Sequence, residues 1–208
     1  MRRLGLAGVV GLVLASVWGE HVLGAGMPLL QRAFELAAPD FRVLEFGVAQ
    51  VDAERRIAVA VTLARTTVVG TRVIVPDPRG RAEAVTPLAH ALHGALLALI
   101  GAAAWPTASR CALICRVLIT LPLAGLLVLV DAPLVLAASV QQLLIDVLAP
   151  GETSLLIGWS AFLRGGGRYA LALAVAVSAV GLCTRGSRTA APQADCPFSP
   201  VRRGTGSG

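Results

Sequence analysis

The sequence predicts a mostly α-helical integral membrane protein, with about four transmembrane helices and a small external α+β insertion between helices one and two. Of its 208 residues, 56% are hydrophobic and 14% are charged, and the mean hydropathy is +0.76. These values lie far from those of an average soluble domain. Crossing a bilayer takes ~20 apolar helical residues, and four stretches approach that length: residues 4–23, 88–105, 117–140 and 169–183.

The first stretch is predicted to form transmembrane helix one, within residues 1–24. Arg2 and Arg3 precede an apolar run that is uncharged up to Gly19 and then crosses Glu20 and His21. This pattern also resembles a secretory signal. The region around residues 22–25 lacks the small residue expected three positions before a cleavage site, which favours an uncleaved anchor. Under either interpretation, the segment that follows lies on the external side of the membrane.

Arginine placement predicts the orientation, because short cytoplasmic segments collect Lys and Arg. The chain has no lysine, so its formal charge of +6 rests on arginine alone. Residues 106–116 would form a cytoplasmic loop and residues 185–208 a disordered cytoplasmic tail. Both termini are then cytoplasmic, and the arginines outside the external segments fall on one side: Arg2, Arg3, Arg110, Arg116, Arg185, Arg188, Arg202 and Arg203.

Residues 25–87 are predicted to form the external α/β domain. A helix is expected over residues 27–36, ending before Pro39 because the residue before a proline resists helical geometry. Strands are expected over residues 41–51, 57–67 and 71–75, where β-branched residues are frequent. The alternation in the first strand is imperfect. So small a core is expected to lean on the membrane helices or on a partner, and an exposed strand edge could accept a partner strand.

Transmembrane helices two and three are assigned to residues 88–105 and 117–140. Residues 141–167 carry two apolar stripes at helical spacing and are predicted to be interfacial helices. The three glycines at 165–167 then form a joint before helix four, at residues 168–184. Small residues every fourth position predict close helix packing on helices two and four: Gly94, Ala98 and Ala102, and Ala170, Ala174 and Ser178.

A polar cluster is predicted at the outer ends of these helices. With the topology drawn, all three histidines of the chain lie at one membrane depth, together with two acids and an arginine. Ionisable groups in membrane helices are costly and suggest function. Structural pairing of acid and arginine, a proton relay and a metal or haem site at His21, His90 and His93 all remain open. The cluster comprises Glu20, His21, His90, His93, Asp131 and Arg168.

The four cysteines, Cys111, Cys115, Cys183 and Cys196, all fall on the predicted cytoplasmic side. This placement is consistent with reduced thiols and no disulfide framework. Their spacing matches no familiar zinc pattern, which favours free or lipidated thiols over a metal site. The sequence also lacks the motifs of common nucleophilic hydrolases and metalloproteases.

These features favour a non-enzymatic subunit or accessory factor of a complex in the bacterial cell envelope, located in the inner membrane. The expected partners are the lipid bilayer and another membrane protein or complex, with no nucleic acid. No cofactor is expected. The alternatives are a redox, metal or haem protein that uses the histidine cluster, and a subunit of a small proton-coupled transporter around Asp131 and Glu20.

Overall fold

The computed structural model describes residues 24–51, 54–69, 72–77, 79–107 and 109–189, with side chains up to residue 184. The prediction of a mostly helical protein with a small sheet is confirmed. Helix α1 covers residues 24–37. The strands β1–β5 follow, and then α2–α5: β1 Phe41–Val51, β2 Glu54–Leu63, β3 Thr67–Val69, β4 Arg72–Ile74, β5 Ala82–Pro87, α2 Leu88–Ala104, α3 Arg110–Leu148, α4 Leu155–Phe162 and α5 Arg168–Thr189.

Strands β1, β2 and β5 form an antiparallel sheet in that order, and β3 pairs with β4 in a separate hairpin. The register of β1 against β2 shifts between Val43 and Glu45. This bulge explains the imperfect alternation of β1, because one extra residue moves the following side chains to the opposite face. Strand β5 was not predicted from the sequence. The predicted third strand is instead β4, an arm of the hairpin.

The sheet and the helices bury their apolar side chains in one common core. The middle of β2 is buried, and α1 packs on it from the same side as the C-terminal half of α3. Helix α2 contributes Ala91 where it leaves the sheet. The core therefore contains residues of α1, β2 and α3 in roughly equal share: Leu30, Phe34, Ile57, Val59, Val61, Leu136, Ala137 and Val140.

Helix α3 is the longest element and joins the two halves of the molecule. Its 39 residues span about 58 Å at 1.5 Å per residue, and the helix continues through Pro122 and Pro133. Residues 141–148, predicted to form part of a separate interfacial helix, continue α3 instead. The prediction that helix three ends at residue 140 is therefore corrected: α3 packs against α4 and β5, and Ile145 in its last two turns is buried.

Two described helical stretches are long and apolar enough to cross a membrane, Arg110–Leu148 and the continuous run Leu155–Thr184. Helix α2 is apolar but has only 17 residues. The first predicted span, residues 4–23, lies outside the described residues. The predicted disordered tail begins at residue 185, but α5 continues to Thr189, which corrects that boundary; the rest of the tail lies outside the described residues. A bundle of four spans thus remains a prediction.

Helices α2, α3 and α5 pack together through small residues. Gly94 of α2 lies against Leu127 of α3, where an added Cβ would approach the leucine side chain to 3.3 Å. A Cβ at Gly101 would lie 3.4 Å from Ala176 of α5. The absence of side chains at these glycines lets the helices approach closely.

Candidate functional site

The candidate site is centred on an ion pair between Asp131 of α3 and Arg168, the first residue of α5. Arg168 Nε donates to Asp131 Oδ2 over 3.0 Å, and the two side chains are 16% and 6% exposed, respectively. The other carboxylate oxygen, Oδ1, is buried and has no hydrogen-bond partner among the described residues. Asp131 can therefore still accept one more hydrogen bond or a proton.

A distorted helical turn places Arg168. Residues Leu163–Gly167 form a π-helical turn between α4 and α5, and within it Gly166 has φ of 111°. That backbone conformation is strained for residues with a side chain. Single π-helical turns of this kind are rare and frequently lie at functional sites. The predicted glycine joint is thus a defined turn that directs the Arg168 side chain towards α3.

Substituting Gly167 with alanine is expected to disrupt this turn, because a Cβ there would overlap the ring of Phe162. The matched control is Gly165→Ala, whose added methyl group meets nothing within 4 Å. We expect Gly167→Ala to lower the thermal midpoint by several degrees, equivalent to about 1–3 kcal/mol of overpacking. Gly165→Ala should leave it within about 0.5 kcal/mol of wild type. Equal effects in thermal unfolding of the detergent-purified protein would contradict this account of the turn.

The histidines of the predicted cluster are less closely engaged. The His93 ring lies edge-on to the ring of Tyr169, with 5.7 Å between their centroids. His90 is exposed, one turn earlier on α2. Glu20 and His21 lie outside the described residues. The structure therefore joins Asp131 to Arg168 directly and places His93 against the residue that follows Arg168.

No group of three or more His, Cys, Asp or Glu side chains within the described ranges is arranged to hold a metal ion. Because His21 is not among them, a metal or haem site formed by His21, His90 and His93 stays a prediction. Cys111 and Cys115 are exposed near the start of α3, and Cys183 is buried on α5 with Sγ 3.7 Å from the Ala112 carbonyl oxygen. Cys196 lies outside the described residues.

The two predicted packing stripes differ in the structure. Gly94, Ala98 and Ala102 of α2 are buried between helices. On α5, however, Ala170, Ala174 and Ser178 are exposed, and that prediction is corrected. Helix α5 packs through the neighbouring face instead: Ala172, Ala176, Ala179 and Cys183. Both faces are rich in small residues, so composition alone could not select between them.

Arg116 was predicted to lie in a cytoplasmic loop, and its role was not predicted. Arg116 lies inside α3 and is only 4% exposed. Its guanidinium donates to the carbonyl oxygens of Ala102 and Trp105, at 3.1 and 2.9 Å. Basic side chains commonly satisfy the free carbonyls of a helix C-terminus. The sequence does contain a hint of this contact: an arginine comes shortly after an apolar helix, so it can reach the free carbonyl groups at the end of that helix.

A second ionic feature outside the predicted cluster crosses the outer face of the sheet. Arg81 donates to Glu83 of β5 over 2.7 Å and to Glu45 of β1 over 3.1 Å. The nearby Glu45 carboxylate raises the pKa of Arg81 further above its ordinary value. Ala60 of the intervening strand is buried although it lies on this outer face.

Comparison of the chain with protein-family models, curated proteins and solved structures finds no match.

Proposed function

We propose that this chain is a non-enzymatic integral membrane subunit, or an accessory or assembly factor, of a complex in the bacterial cell envelope. The observation that supports this most is the shared use of α3. One half of the helix packs with α2 and α5, and the other half supplies Leu136, Ala137 and Val140 to the sheet core. A continuous helix that packs with both the helices and the sheet suits a scaffold that holds a small external domain at a fixed position.

The proposed location is the inner membrane, with several passes, both termini in the cytoplasm and residues 25–87 outside. The arrangement of α2 supports this topology. Its C-terminal end meets Arg116 at the arginine-bearing end of α3, while its N-terminal end follows β5 directly. The sheet and two of the predicted cytoplasmic arginines, Arg110 and Arg116, therefore lie at opposite ends of α2, which supports the proposed orientation.

Exposed apolar side chains on the hairpin support a role in contact with another protein. Val68 of β3 pairs across the hairpin with Val73 of β4, and both are 65% exposed. Val75, just beyond β4, is 68% exposed. Neighbouring exposed apolar residues commonly mark interaction surfaces. The partner expected on this basis is another membrane protein or complex of the envelope.

The test is purification of the tagged full-length protein from its native membranes, with mass spectrometry and a visible spectrum of the eluate. We expect a stoichiometric protein partner and no chromophore. The double variant Val68→Ser/Val73→Ser should lose at least about half of that partner, because both exposed contacts become polar. Leu173→Ser, at a 62% exposed position on α5, is the control for an exposed apolar residue elsewhere. A partner retained by the hairpin variant would place the contact on another surface.

Two other functions have specific support. The unpartnered Oδ1 of buried Asp131 favours a subunit of a proton-coupled transporter, and the exposed His90 and His93 would be accessible to a metal or haem. A Soret band or stoichiometric metal in the same eluate, lost in His90→Ala or His93→Ala, would overturn the accessory-subunit proposal.

A further inference from the structure

A groove of about 270 Å³ lies between the outward edge of β5 and the helices α3 and α4. Glu83, Ala84 and Val85 of β5 form one wall. Gln142 and Leu143 of α3 lie opposite them, and α4 with the π-helical turn closes one end. Gln142 is eleven residues beyond Asp131, or about 16 Å along the helix. The groove therefore belongs to the external unit.

The edge of β5 is open for strand pairing. In an antiparallel edge strand, alternate residues direct their amide and carbonyl groups away from the sheet. None of the backbone–backbone hydrogen bonds that the described residues make outside the regular ladders uses β5. The other edge strand, β1, carries the bulge between Val43 and Glu45. Bulges interrupt further pairing, whereas the β5 register against β2 is regular, so β5 is the better edge for an added strand.

The side chains around the groove indicate what would fill it. Val85 and Leu143 are 44% and 47% exposed and offer apolar contact from opposite walls. Arg164 also lines the groove, with its guanidinium held by Ser160, to which Nη2 donates over 2.8 Å. Arg164 forms no ion pair with an acid among the described residues, and Glu83 is already paired with Arg81. The groove thus combines strand-pairing groups and apolar walls with the guanidinium of Arg164, which has no acidic partner among the described residues, while Glu83 on the opposite wall shares Arg81 with Glu45.

We propose that this groove binds an extended acidic segment of a partner polypeptide, which adds to the sheet as a strand beside β5 and places a carboxylate on Arg164. Strand addition supplies main-chain hydrogen bonds, and side-chain pockets beside the edge supply selectivity. A carboxylate–guanidinium pair provides charge-assisted hydrogen bonds. The inference rests on the proposed function, because it names how a protein partner is held.

The test measures fluorescence anisotropy of labelled peptides with the full-length protein in nanodiscs. The probe is a decapeptide of alternating threonine and valine with one central glutamate. Saturable binding is expected, and a lysine in place of the glutamate should weaken it by about tenfold, the effect of one charge-assisted contact. A glutamate peptide with N-methyl groups on alternate amides should bind at least as weakly, because it cannot donate along one edge. Both comparisons use the unmodified protein and do not depend on how a variant folds.

Variants of the protein locate the site. Arg164→Glu should weaken the glutamate peptide by about tenfold or more, and Arg164→Lys by much less, since lysine retains the charge. Arg72→Glu, at an exposed arginine of β4 away from the groove, is the matched control and should bind as wild type does.

Several results would overturn the strand-addition proposal. These are absence of saturable binding, equal binding of the N-methylated peptide, and wild-type affinity in Arg164→Glu. If Arg72→Glu weakened peptide binding as much as Arg164→Glu does, the effect would come from the overall charge of the protein and not from the groove. Displacement of the peptide by detergent monomers alone would make the groove an acyl-chain site. If a stoichiometric partner is still recovered from native membranes, the accessory-subunit proposal survives any of these results, so the two failures are distinguishable.

Discussion

Replacing Arg168 with alanine is expected to destabilise the protein by about 3–5 kcal/mol, the range for removing one partner of a buried ion pair. Asp131 is only 6% exposed, and its second oxygen already lacks a partner among the described residues. Loss of the guanidinium would leave a buried carboxylate without its counter-charge. We would measure unfolding of the purified protein in mild detergent by tryptophan fluorescence and circular dichroism.

A control variant separates the effect of breaking the buried ion pair from the effect of losing an arginine elsewhere. The control is Arg65→Ala, which breaks the ion pair of Arg65 with Asp40, whose side chains are 61% and 37% exposed. An exposed pair is worth about 0–1 kcal/mol. The double variant Asp131→Asn/Arg168→Gln should recover much of the loss, because neutral amides remove the unpaired charge. If Arg168→Ala and Arg65→Ala were equally mild, the Asp131 site would be well hydrated and its burial of no energetic consequence.

The second large effect is expected at Leu136, in the outer half of α3. Leu136 is fully buried among residues of α1 and β2. Truncation to alanine should cost about 2–5 kcal/mol, as lost apolar burial and the cavity left behind. Thermal unfolding with far-ultraviolet circular dichroism would measure this, since the sheet and α3 share the core.

Leu126→Ala is the matched control for Leu136→Ala. Both residues are leucines of α3, but Leu126 is 55% exposed and lies in the half of the helix beside α2. Its truncation should change stability by no more than about 0.5 kcal/mol. A comparable loss of stability in both variants would mean that the two halves of α3 do not differ in burial as described. It would weaken the proposal that α3 is a scaffold.

The helical parts of the fold were readable because apolar length and period are local properties. Helix α1 and strand β1 lie where the sequence predicted them. Strand β5 was missed because it is short, at six residues, and four of these have low strand propensity: Ala82, Glu83, Ala84 and Pro87. It is held in the sheet by pairing with β2, and such long-range pairing leaves no mark in a local pattern.

The continuity of α3 was also hidden from local reasoning. The end of the helix was predicted at residue 140, where the apolar stretch ends. In the structure, Pro133 is fully buried and the helix passes through it. Packing against the sheet and α4 stabilises the helix beyond that point, which outweighs the ~3 kcal/mol preference against an internal proline.

The polar cluster shows the same division. The sequence grouped Asp131 and Arg168 by expected depth in the membrane, and they form an ion pair. It could not select which face of α5 packs, since Ala170, Ala174 and Ser178 are as small as the buried Ala172, Ala176 and Ala179. That choice depends on the rotation of α5, which the π-helical turn before Arg168 sets.

The sequence by itself thus determined the helical character, the apolar segments and the residues that bear charge among them, because composition and period act within a few turns of chain. Only the tertiary structure decided that α3 serves both the helix bundle and the sheet, that Arg116 caps α2, and that β5 presents an open edge beside Arg164. Each of these depends on contacts between residues distant in the chain, whose free energy exists only once the elements are packed together.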